Sequence, residues 1–410
     1  MAKRVVLAYS GGLDTSVAVR WMIENYGVEV ICLAVDVGQA AEDYDVLKER
    51  ARAAGAVEAI VVDAKEEYAA EYCMPALAAN ALYENRYPLV SALSRPVIVK
   101  HLVEAAKFHG ADAVAHGCTG KGNDQVRFEV STRALNPELE VLAPVRLWGM
   151  TREDSILYAY DHDIPIKATK EKVYSIDDNI WGRAIECGEM EDPWAQPPQG
   201  VWLLTKPVAT EPRDVVISFE AGVPVAVDDE RLTPLGVIQR LNELVGSYGW
   251  GRIDIVENRR VGIKSRETYE CPGSLALIMA HRDLEGLCLE RDLQREKARL
   301  EPRYAELVYD GLWFSPLKQA LDAFMVESQR YVTGDVRLRL SPGSCEVTGR
   351  RSPYSLYDYG LATYDAADSF RHEDSAGFVR LWGLSVETWA GVQGTLSPGS
   401  QAHPQGPDEV

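Results

Sequence analysis

A loop near the start of the chain combines residue types that bind phosphate. Residues 5–8 are apolar and largely β-branched, which predicts a buried strand. Ser10, Gly11 and Gly12 interrupt this run, and a helical pattern opens at Asp14. In a strand–turn–helix unit the free N–H groups of the first helical turn favour an anion, and glycines let the backbone approach it. The loop therefore predicts an anion site; an ordinary turn capped by Ser and Asp is the alternative.

The composition of this loop narrows its possible ligand. A kinase-type loop requires Gly-x-x-x-x-Gly-Lys-Ser/Thr and a dinucleotide loop requires Gly-x-Gly-x-x-Gly, and neither pattern is present here. Ser10, Thr15 and Ser16 supply hydroxyl groups in place of a lysine. Such a loop suits a released pyrophosphate better than transfer of a γ-phosphoryl group. We predict pyrophosphate chemistry at this position.

A second glycine loop, residues 116–128, carries a mixed set of polar groups. Lys121 offers a point charge, and Asn123, Asp124 and Arg127 offer an amide, a carboxylate and a guanidinium. An α-amino acid requires a carboxylate for its ammonium and an arginine for its carboxylate, and Asp124 and Arg127 are three residues apart. We therefore predict an amino-acid site, with Lys121 reaching a phosphate. A surface salt bridge is the alternative for Asp124 and Arg127.

Metal-binding and nucleophilic patterns are missing from the sequence. No two histidines have metal-ligand spacing, and no Ser-His-Asp or Cys-His arrangement can be recognised. We predict no protein-bound metal site. His116 stands beside the second loop, and we expect it to be a core histidine whose hydrogen bonds are satisfied.

Composition excludes several classes of function. The chain has 410 residues and a net charge of −19, which disfavours non-specific binding to nucleic acid or to an acidic membrane. Its seven cysteines are scattered and never form Cys-x-x-Cys, which indicates reduced thiols and a cytosolic location. The sequence contains no run of 18 apolar residues, so it predicts no membrane span.

Alternating strand and helix patterns over residues 1–165 predict a parallel sheet covered by helices on both faces. The predicted strands are residues 5–8, 28–35, 59–62, 113–115 and 141–145. The predicted helices open at Asp14, Asp43, Lys65, Ser94, Gln125 and Thr151, with Pro96 in the first turn after Ser94. Ligands of such sheets bind at the carboxyl ends of the strands, where both glycine loops lie.

The pattern changes after residue 165. Residues 166–352 predict an α+β domain with two hairpins (215–227 and 336–350), a helix (235–248), a strand (252–257) and a mostly helical stretch (274–331). Residues 353–396 are rich in aromatics and predict an arm that packs on another subunit, although folding back on the same domain explains them equally well. Residues 397–410 are predicted to be disordered.

Several of these segments resemble known families. The string Ser10-Gly11-Gly12-Leu13-Asp14-Thr15-Ser16 resembles the PP-loop of the N-type ATP pyrophosphatases. Residues 83–87, 116–117, 119–128, 252–258, 262–266 and 305–309 resemble the argininosuccinate synthase family. The likeness extends from residue 5 to about residue 378. It implies an α/β fold with a PP-loop nucleotide-binding domain, a second α+β substrate domain and a C-terminal oligomerisation tail.

The resemblance also implies roles for individual residues. ATP would be held by Ala8, Tyr9, Ser10, Gly11, Gly12, Leu13, Asp14, Thr15, Ser16, Ala34 and Gly117. Aspartate would be held by Thr119, Asn123 and Asp124, and citrulline by Tyr87, Asn123, Arg127, Ser175, Glu257 and Tyr269. Some family members carry serine at Ala92 and Ala184, so Ser91 or Arg183 would have to replace the missing hydroxyls. The family further suggests a homotetramer.

The implied reaction condenses citrulline with aspartate. Attack of the ureido oxygen on the α-phosphorus of ATP gives a citrullyl-adenylate and pyrophosphate, whose charge Mg²⁺ shares, and the aspartate amine then displaces AMP. Asp14 would orient the loop, approach the metal or act as a plain cap. Two alternatives differ in class: a tRNA-modifying PP-loop transferase, and a nucleotide-binding module without chemistry. The net charge and the absence of Cys-x-x-Cys disfavour the first.

Overall fold

The computed structural model describes residues 3–39, 43–166 and 174–394. The chain divides into two compact units, Met1–Leu356 and Tyr357–Val410. The tail predicted at residues 397–410 lies outside the described residues. Within the described residues, the strands of the first unit form three sheets.

The first sheet is parallel and has the strand order β3-β2-β1-β4-β5. Its strands are β1 (Arg4–Ala8), β2 (Glu29–Asp36), β3 (Glu58–Asp63), β4 (Ala113–Ala115) and β5 (Glu140–Leu142). Val5, Val6 and Leu7 of β1 are fully buried, as expected for a central strand covered on both faces. The two glycine loops follow β1 and β4, which are neighbours, so both loops lie at the same edge of the sheet. The predicted α/β sheet is confirmed.

Helices connect the strands of this sheet. They are α1 (Leu13–Tyr26), α2 (Tyr44–Ala53), α3 (Lys65–Glu67), α4 (Met74–Ala78), α5 (Val90–His109), α6 (Asp124–Leu135), α7 (Pro144–Leu147) and α8 (Arg152–Asp161), with a π-helical turn at Tyr68–Cys73. Helix α8 opens at the predicted Thr151 with a capping box: the Thr151 hydroxyl accepts the Asp154 N–H, and the Asp154 carboxylate accepts the Thr151 N–H.

Two predicted boundaries in this region are wrong. Helix α5 begins at Val90 and not at Ser94, whose hydroxyl donates to the carbonyl of Ser91 inside the helix. Pro96 therefore lies inside the helix, where burial of its apolar side offsets the cost of the missing N–H. The last strand ends at Leu142 because Pro144 cannot donate to a ladder and instead starts α7.

The other two sheets of the first unit are antiparallel. One has the order β10-β9-β8-β13-β14 and contains both predicted hairpins; its strands are β8 (Arg213–Glu220), β9 (Val223–Val227), β10 (Glu230–Arg231), β13 (Gly334–Ser341) and β14 (Ser344–Arg351). The other has the order β11-β12-β7-β6, with β6 (Ser175–Asn179), β7 (Gly182–Glu186), β11 (Arg252–Asn258) and β12 (Lys264–Glu270). Only β11 of this sheet was predicted. Polar sequences such as that of β6 hide the alternation that identifies strands.

Four helices complete the first unit: α9 (Pro234–Gly246), α10 (Pro272–Cys288), α11 (Arg291–Tyr309) and α12 (Pro316–Ser328). In the second unit, α13 (Tyr359–Ala362) precedes α14 (His372–Gln393), and no residue of α14 is buried. Phe378 and Trp382 stack on each other along this helix, with ring centroids 5.7 Å apart. The oligomerisation role of residues 353–396 stays a prediction.

The connector between the two antiparallel sheets is fixed by the buried Glu270. Its carboxylate accepts the backbone N–H groups of Leu203, Leu204 and Thr205 and the hydroxyl of Thr205, and Arg183 Nη1 lies 3.0 Å from Oε2. Replacing Glu270 with Gln leaves the buried Arg183 with only the carboxylate of Asp178, 3.9 Å away, so we expect a loss of about 3–5 kcal/mol in the free energy of unfolding.

Urea unfolding measures this loss. The matched control is Asp214→Asn, which removes an exposed ion pair with Arg339 and should cost less than about 1 kcal/mol. Equal small losses in both variants would contradict the role of Glu270.

Candidate functional site

The first glycine loop is held in shape by hydroxyl groups and one arginine. Gly11 adopts φ +71°, a left-handed conformation that glycine tolerates best, and α1 begins at Leu13 with Gly12 as its N-cap. The hydroxyl oxygens of Ser10 and Thr15 lie 3.1 Å apart. Arg50 of α2 donates to the Gly11 carbonyl at 2.6 Å. These contacts fix the shape of the loop.

A cavity of about 470 Å³ opens beside this loop. Of the residues predicted for ATP, those that line it are Ala8, Tyr9, Ser10, Thr15, Ala34 and Gly117. Leu13 and Ser16 are buried, and the Ser16 hydroxyl lies 3.0 Å from that of Tyr9. Gly11, Gly12 and Asp14 also belong to the loop but not to the cavity lining. Six of the residues predicted for ATP therefore line the first cavity, and the other five belong to the loop and to the start of α1.

Asp14 does not cap the helix. It lies in the first turn of α1, and the N-cap is Gly12, which makes no side-chain cap. Burial raises the pKa of the Asp14 carboxyl, while the nearby Arg152 acts in the opposite direction. Of the roles considered for Asp14, plain capping is wrong.

A second cavity of about 390 Å³ adjoins the second glycine loop. All nine residues predicted for the two amino-acid substrates line it: Tyr87, Ser91, Thr119, Asn123, Asp124, Arg127, Ser175, Glu257 and Tyr269. They come from the α5 region, the second loop with α6, and the β6 and β11–β12 strands. Residues far apart in sequence thus meet around one pocket.

A chain of charges crosses the wall of this cavity. Arg95 Nε and Nη2 donate to Asp124 Oδ2 at 3.0 and 2.7 Å, and Arg127 Nη1 donates to Asp124 Oδ1 at 2.8 Å. Arg95 Nη2 also donates to Asp177 Oδ2 at 2.5 Å. Burial opposes ionisation of Asp124, but the two guanidinium groups outweigh it and hold the pKa of this carboxyl well below its usual range.

The opposite wall is built on Glu257. The hydroxyls of Tyr269 and Tyr309 donate to its two carboxylate oxygens at 2.8 and 2.6 Å. Asn123 Nδ2 donates to the same Tyr309 hydroxyl at 2.8 Å, and the Tyr87 ring stacks on Tyr269 with centroids 4.2 Å apart. Burial raises the pKa of Glu257, although both tyrosine hydroxyls act against it. This network ties α6 to the third sheet.

Several residues of the site were not predicted. Tyr309, Asp177, Glu186, Arg259 and Glu267 line the second cavity, and Arg95 lines both cavities. Arg259 Nη2 donates to Glu186 and Glu267, yet burial and the charges of Glu186 and Glu257 raise the pKa of Glu267 to about 9. The sequence did offer one sign that Arg95 belongs to the site: it is the one charged residue between Arg86 and Lys100, in an otherwise apolar helix.

Other predicted residues lie elsewhere. Lys121 is exposed and lines neither cavity. Ala184 faces the second cavity, whereas Ala92 is buried outside its lining. Arg183 is committed to Glu270 and to the Val201 carbonyl, so it does not replace a lost hydroxyl, while Ser91 does face the cavity.

His116 is buried, as expected, but only partly satisfied. Nδ1 accepts the Cys118 N–H at 3.2 Å, while Nε2 has no hydrogen-bond partner within the described residues. Burial lowers the pKa of this imidazole to about 4, against the influence of Glu129. The expectation of a fully hydrogen-bonded histidine is wrong at Nε2.

The two cavities share one wall. Seven residues line both: Ser10, Arg95, Gly117, Cys118, Asp124, Ile176 and Asp177. A nucleotide beside the first loop and an amino acid beside the second would therefore meet at this wall. A parallel sheet with a lysine-free phosphate loop next to an amino-acid pocket defines an ATP-dependent enzyme of the PP-loop class.

Comparison with family models gives the particular family. The model described as the arginosuccinate synthase N-terminal HUP domain matches residues 4–165, and that of the arginosuccinate synthase C-terminal domain matches residues 174–389. The chain belongs to the argininosuccinate synthase family. It is an ATP-dependent ligase that joins citrulline and aspartate in arginine biosynthesis.

Two solved structures are similar to part of the chain. One is described as a predicted subunit of tRNA methyltransferase from Methanocaldococcus jannaschii, with 13% identity over 38% of this chain and 74% of that chain, at a TM-score of 0.26. The other is the U34-tRNA thiolase NcsA from Methanococcus maripaludis with its 4Fe-4S cluster, with 16% identity over 41% of this chain and 58% of that chain, at a TM-score of 0.26.

The contact between the two glycine loops gives a testable prediction. A Cβ added at Gly117 would lie 2.8 Å from Thr15 Cγ2, and the stiff, β-branched Thr15 cannot yield without moving its hydroxyl. We expect Gly117→Ala to weaken ATP binding about tenfold or more, as measured by titration calorimetry. At Gly120 the nearest atom is 3.7 Å away, so Gly120→Ala is the control, and equal Kd values for the two variants would contradict the prediction.

The buried imidazole predicts a pH dependence of stability. The folded pKa of His116 is about 4 and its unfolded value about 6.5, so the unfolded chain binds more protons in between, and stability falls as the pH drops through this window. From pH 7 to pH 5 the loss is about 2 kcal/mol. Urea unfolding of His116→Asn should lack this part of the acid destabilisation; an unchanged pH dependence would refute it.

Proposed function

We propose that the first cavity holds ATP and the second holds citrulline and aspartate. The observation that carries this proposal is that all nine predicted substrate residues line one cavity, which shares a wall with the cavity of the phosphate loop. Ser10 and Thr15 donate hydroxyl hydrogen bonds to the phosphates, and the N–H groups at the start of α1 contribute their dipole.

The citrulline site has two polar ends. Arg127, whose Nε donates to the Tyr309 carbonyl at 2.9 Å, is fixed in place to bind a carboxylate. Glu257 is positioned by two tyrosine hydroxyls to accept from an ammonium or a ureido N–H group. Ser175 and Tyr87 complete this site in the proposal, and the Tyr87 hydroxyl accepts the Ser91 N–H at 2.9 Å.

The first step activates citrulline. The lone pair of the ureido oxygen forms a bond to the α-phosphorus, the bond from this phosphorus to the bridging oxygen breaks, and its electron pair leaves with pyrophosphate. The ureido group of the adenylate carries the resulting positive charge. No side-chain nucleophile is required, since the protein positions two substrates and stabilises phosphate charge.

The second step consumes the adenylate. The neutral amine of aspartate attacks the ureido carbon, the C–O bond to AMP breaks with its electron pair on AMP, and the amine loses a proton. Thr119, Asn123 and Asp124 hold aspartate in this proposal. Arg95 and Arg127 flank Asp124 and disfavour a second positive charge there, so they favour the neutral, nucleophilic form of the amine.

We propose that Mg²⁺ enters with the nucleotide. No group of three or more His, Cys, Asp or Glu suited to a metal occurs among the described residues. Mg²⁺ commonly takes substrate phosphates, waters and one or two carboxylates as ligands. Of the three carboxylates that line the first cavity, Asp124 is held by two arginines, so Asp177 and Asp178 are the candidates for such an ion. The ion would neutralise phosphate charge. Lys121, exposed on the second loop, stays a prediction as a phosphate ligand.

The remaining organisation is also proposed. We propose a PP-loop domain at 1–165, a synthetase domain at 166–352 and an oligomerisation arm at 353–396 that contributes to a homotetramer. The exposed aromatic side chains of α14 support the arm.

No described helix is long and apolar enough to span a bilayer. A cytosolic location is supported by seven free cysteines.

A product assay tests the proposed function. With ATP and citrulline the enzyme should release pyrophosphate, and AMP should accumulate over many turnovers only when aspartate is added. Each substrate is omitted in turn, and products are separated by chromatography. ADP and orthophosphate as products, or pyrophosphate release that depends on tRNA and not on citrulline, would refute the proposal.

The role of Asp124 gives a second test. Asp124→Asn keeps the side-chain volume but replaces a carboxylate oxygen that accepts a hydrogen bond from the aspartate amine with an amide group, so the KM for aspartate should rise at least about tenfold. Citrulline-dependent pyrophosphate release should fall much less, because Asp177 still holds the Arg95 guanidinium. Parallel losses of both activities would show that Asp124 does not serve aspartate in particular.

A further inference from the structure

Arg95 occupies a special place among the charged residues of the site. Its side chain lies in the second turn of α5 and lines both cavities. Among the described residues that line the first cavity it is the one lysine or arginine. ATP carries several negative charges, and the phosphate loop beside this cavity has no lysine. Arg95 is therefore the cationic side chain best placed to meet them.

The position of Arg95 also indicates which phosphate of ATP it contacts. The reacting α-phosphorus must lie where the nucleotide meets the ureido oxygen of citrulline, which is the wall that the two cavities share. Of the seven residues in this wall, Arg95 is the one cation. The β- and γ-phosphates, by contrast, belong with Ser10 and Thr15 at the start of α1, in the proposed arrangement.

Two carboxylates hold the Arg95 guanidinium in place. Its guanidinium donates to Asp124 and Asp177, and Nη1 donates to the Ser94 hydroxyl at 2.8 Å. Burial works against its charge, but the two carboxylates outweigh this effect and keep its pKa well above its usual range. The Arg95 guanidinium is thus always charged, and its hydrogen bonds hold it at the shared wall.

We propose that Arg95 binds the α-phosphate of ATP and stabilises the negative charge that builds up on its oxygens as the ureido oxygen attacks. This inference rests on the proposed function and adds a catalytic residue to it. As the bond to pyrophosphate breaks, charge spreads over the phosphate oxygens, and a fixed guanidinium in a partly dry site stabilises this state more than the ground state. Asp177 and Asp124 position the guanidinium.

The experiment uses Arg95→Met, which preserves much of the side-chain volume, and measures citrulline-dependent pyrophosphate release without aspartate. We expect kcat to fall about 100-fold or more, while the Kd for ATP changes less than about fivefold because the glycine loop holds the other phosphates. Arg95→Lys, which retains a charge, should be more active than Arg95→Met. Guanidinium ion at millimolar concentration should raise the rate of the Arg95→Met enzyme severalfold.

The matched control is Lys100→Met on the same helix. Lys100 pairs with Glu67 at 2.7 Å and lines neither cavity, so its loss should leave the rate within about twofold. Retention of near-normal pyrophosphate release by Arg95→Met would overturn the inference. Loss of activity with a much lower melting temperature and no rescue by guanidinium would also overturn it, because it would indicate a structural role. Failure of the unmodified enzyme to release pyrophosphate would refute the proposed function itself.

Discussion

The chain of ion pairs Asp177–Arg95–Asp124–Arg127 is the interaction on which the rest of the site depends. Asp177 lies on β6 of an antiparallel sheet, Arg95 on α5 and the other two on α6 behind the parallel sheet. Each member compensates the charge of its neighbour in a partly buried wall. Removal of one member leaves a partly buried charge unpaired, which is far more costly than loss of an exposed pair. The chain thereby sets the position of the second cavity relative to the first.

This arrangement explains how the enzyme manages without a lysine in its phosphate loop. The loop offers hydroxyl and N–H groups, which bind phosphate without adding a permanent charge. Of the described residues, the one lysine or arginine that lines the first cavity is Arg95, which lies at the shared wall and is paired with carboxylates. In the proposed arrangement, pyrophosphate leaves a loop without a lysine, and Arg95 acts where the bonds change.

The sequence allowed the framework of the first sheet to be predicted, but less of the site wall. The strands of that sheet are buried on both faces, so their apolar runs are plain, and the two glycine loops follow them directly. Strands β6, β7 and β12 were not predicted because their polar residues face the substrate cavity or its supporting network. Glu257 and Tyr269 were reached only through family resemblance. Arg95 was missed because its partners are 29 and 82 residues away.

The charged groups at the two ends of the second cavity differ. This difference bears on how the two amino-acid substrates are kept apart. At the end formed by the second loop, Arg95 and Arg127 surround Asp124 and exclude an additional cation. At the end formed by the third sheet, Glu257 accepts hydrogen bonds from two tyrosine hydroxyls, and Glu267 lies nearby with its pKa raised by burial and by the charges of Glu186 and Glu257. An ammonium is therefore favoured at the Glu257 end and disfavoured beside Asp124. In the proposed function, these charges direct the α-amino group of one substrate away from the shared wall and leave that wall to the amine that reacts as a neutral nucleophile.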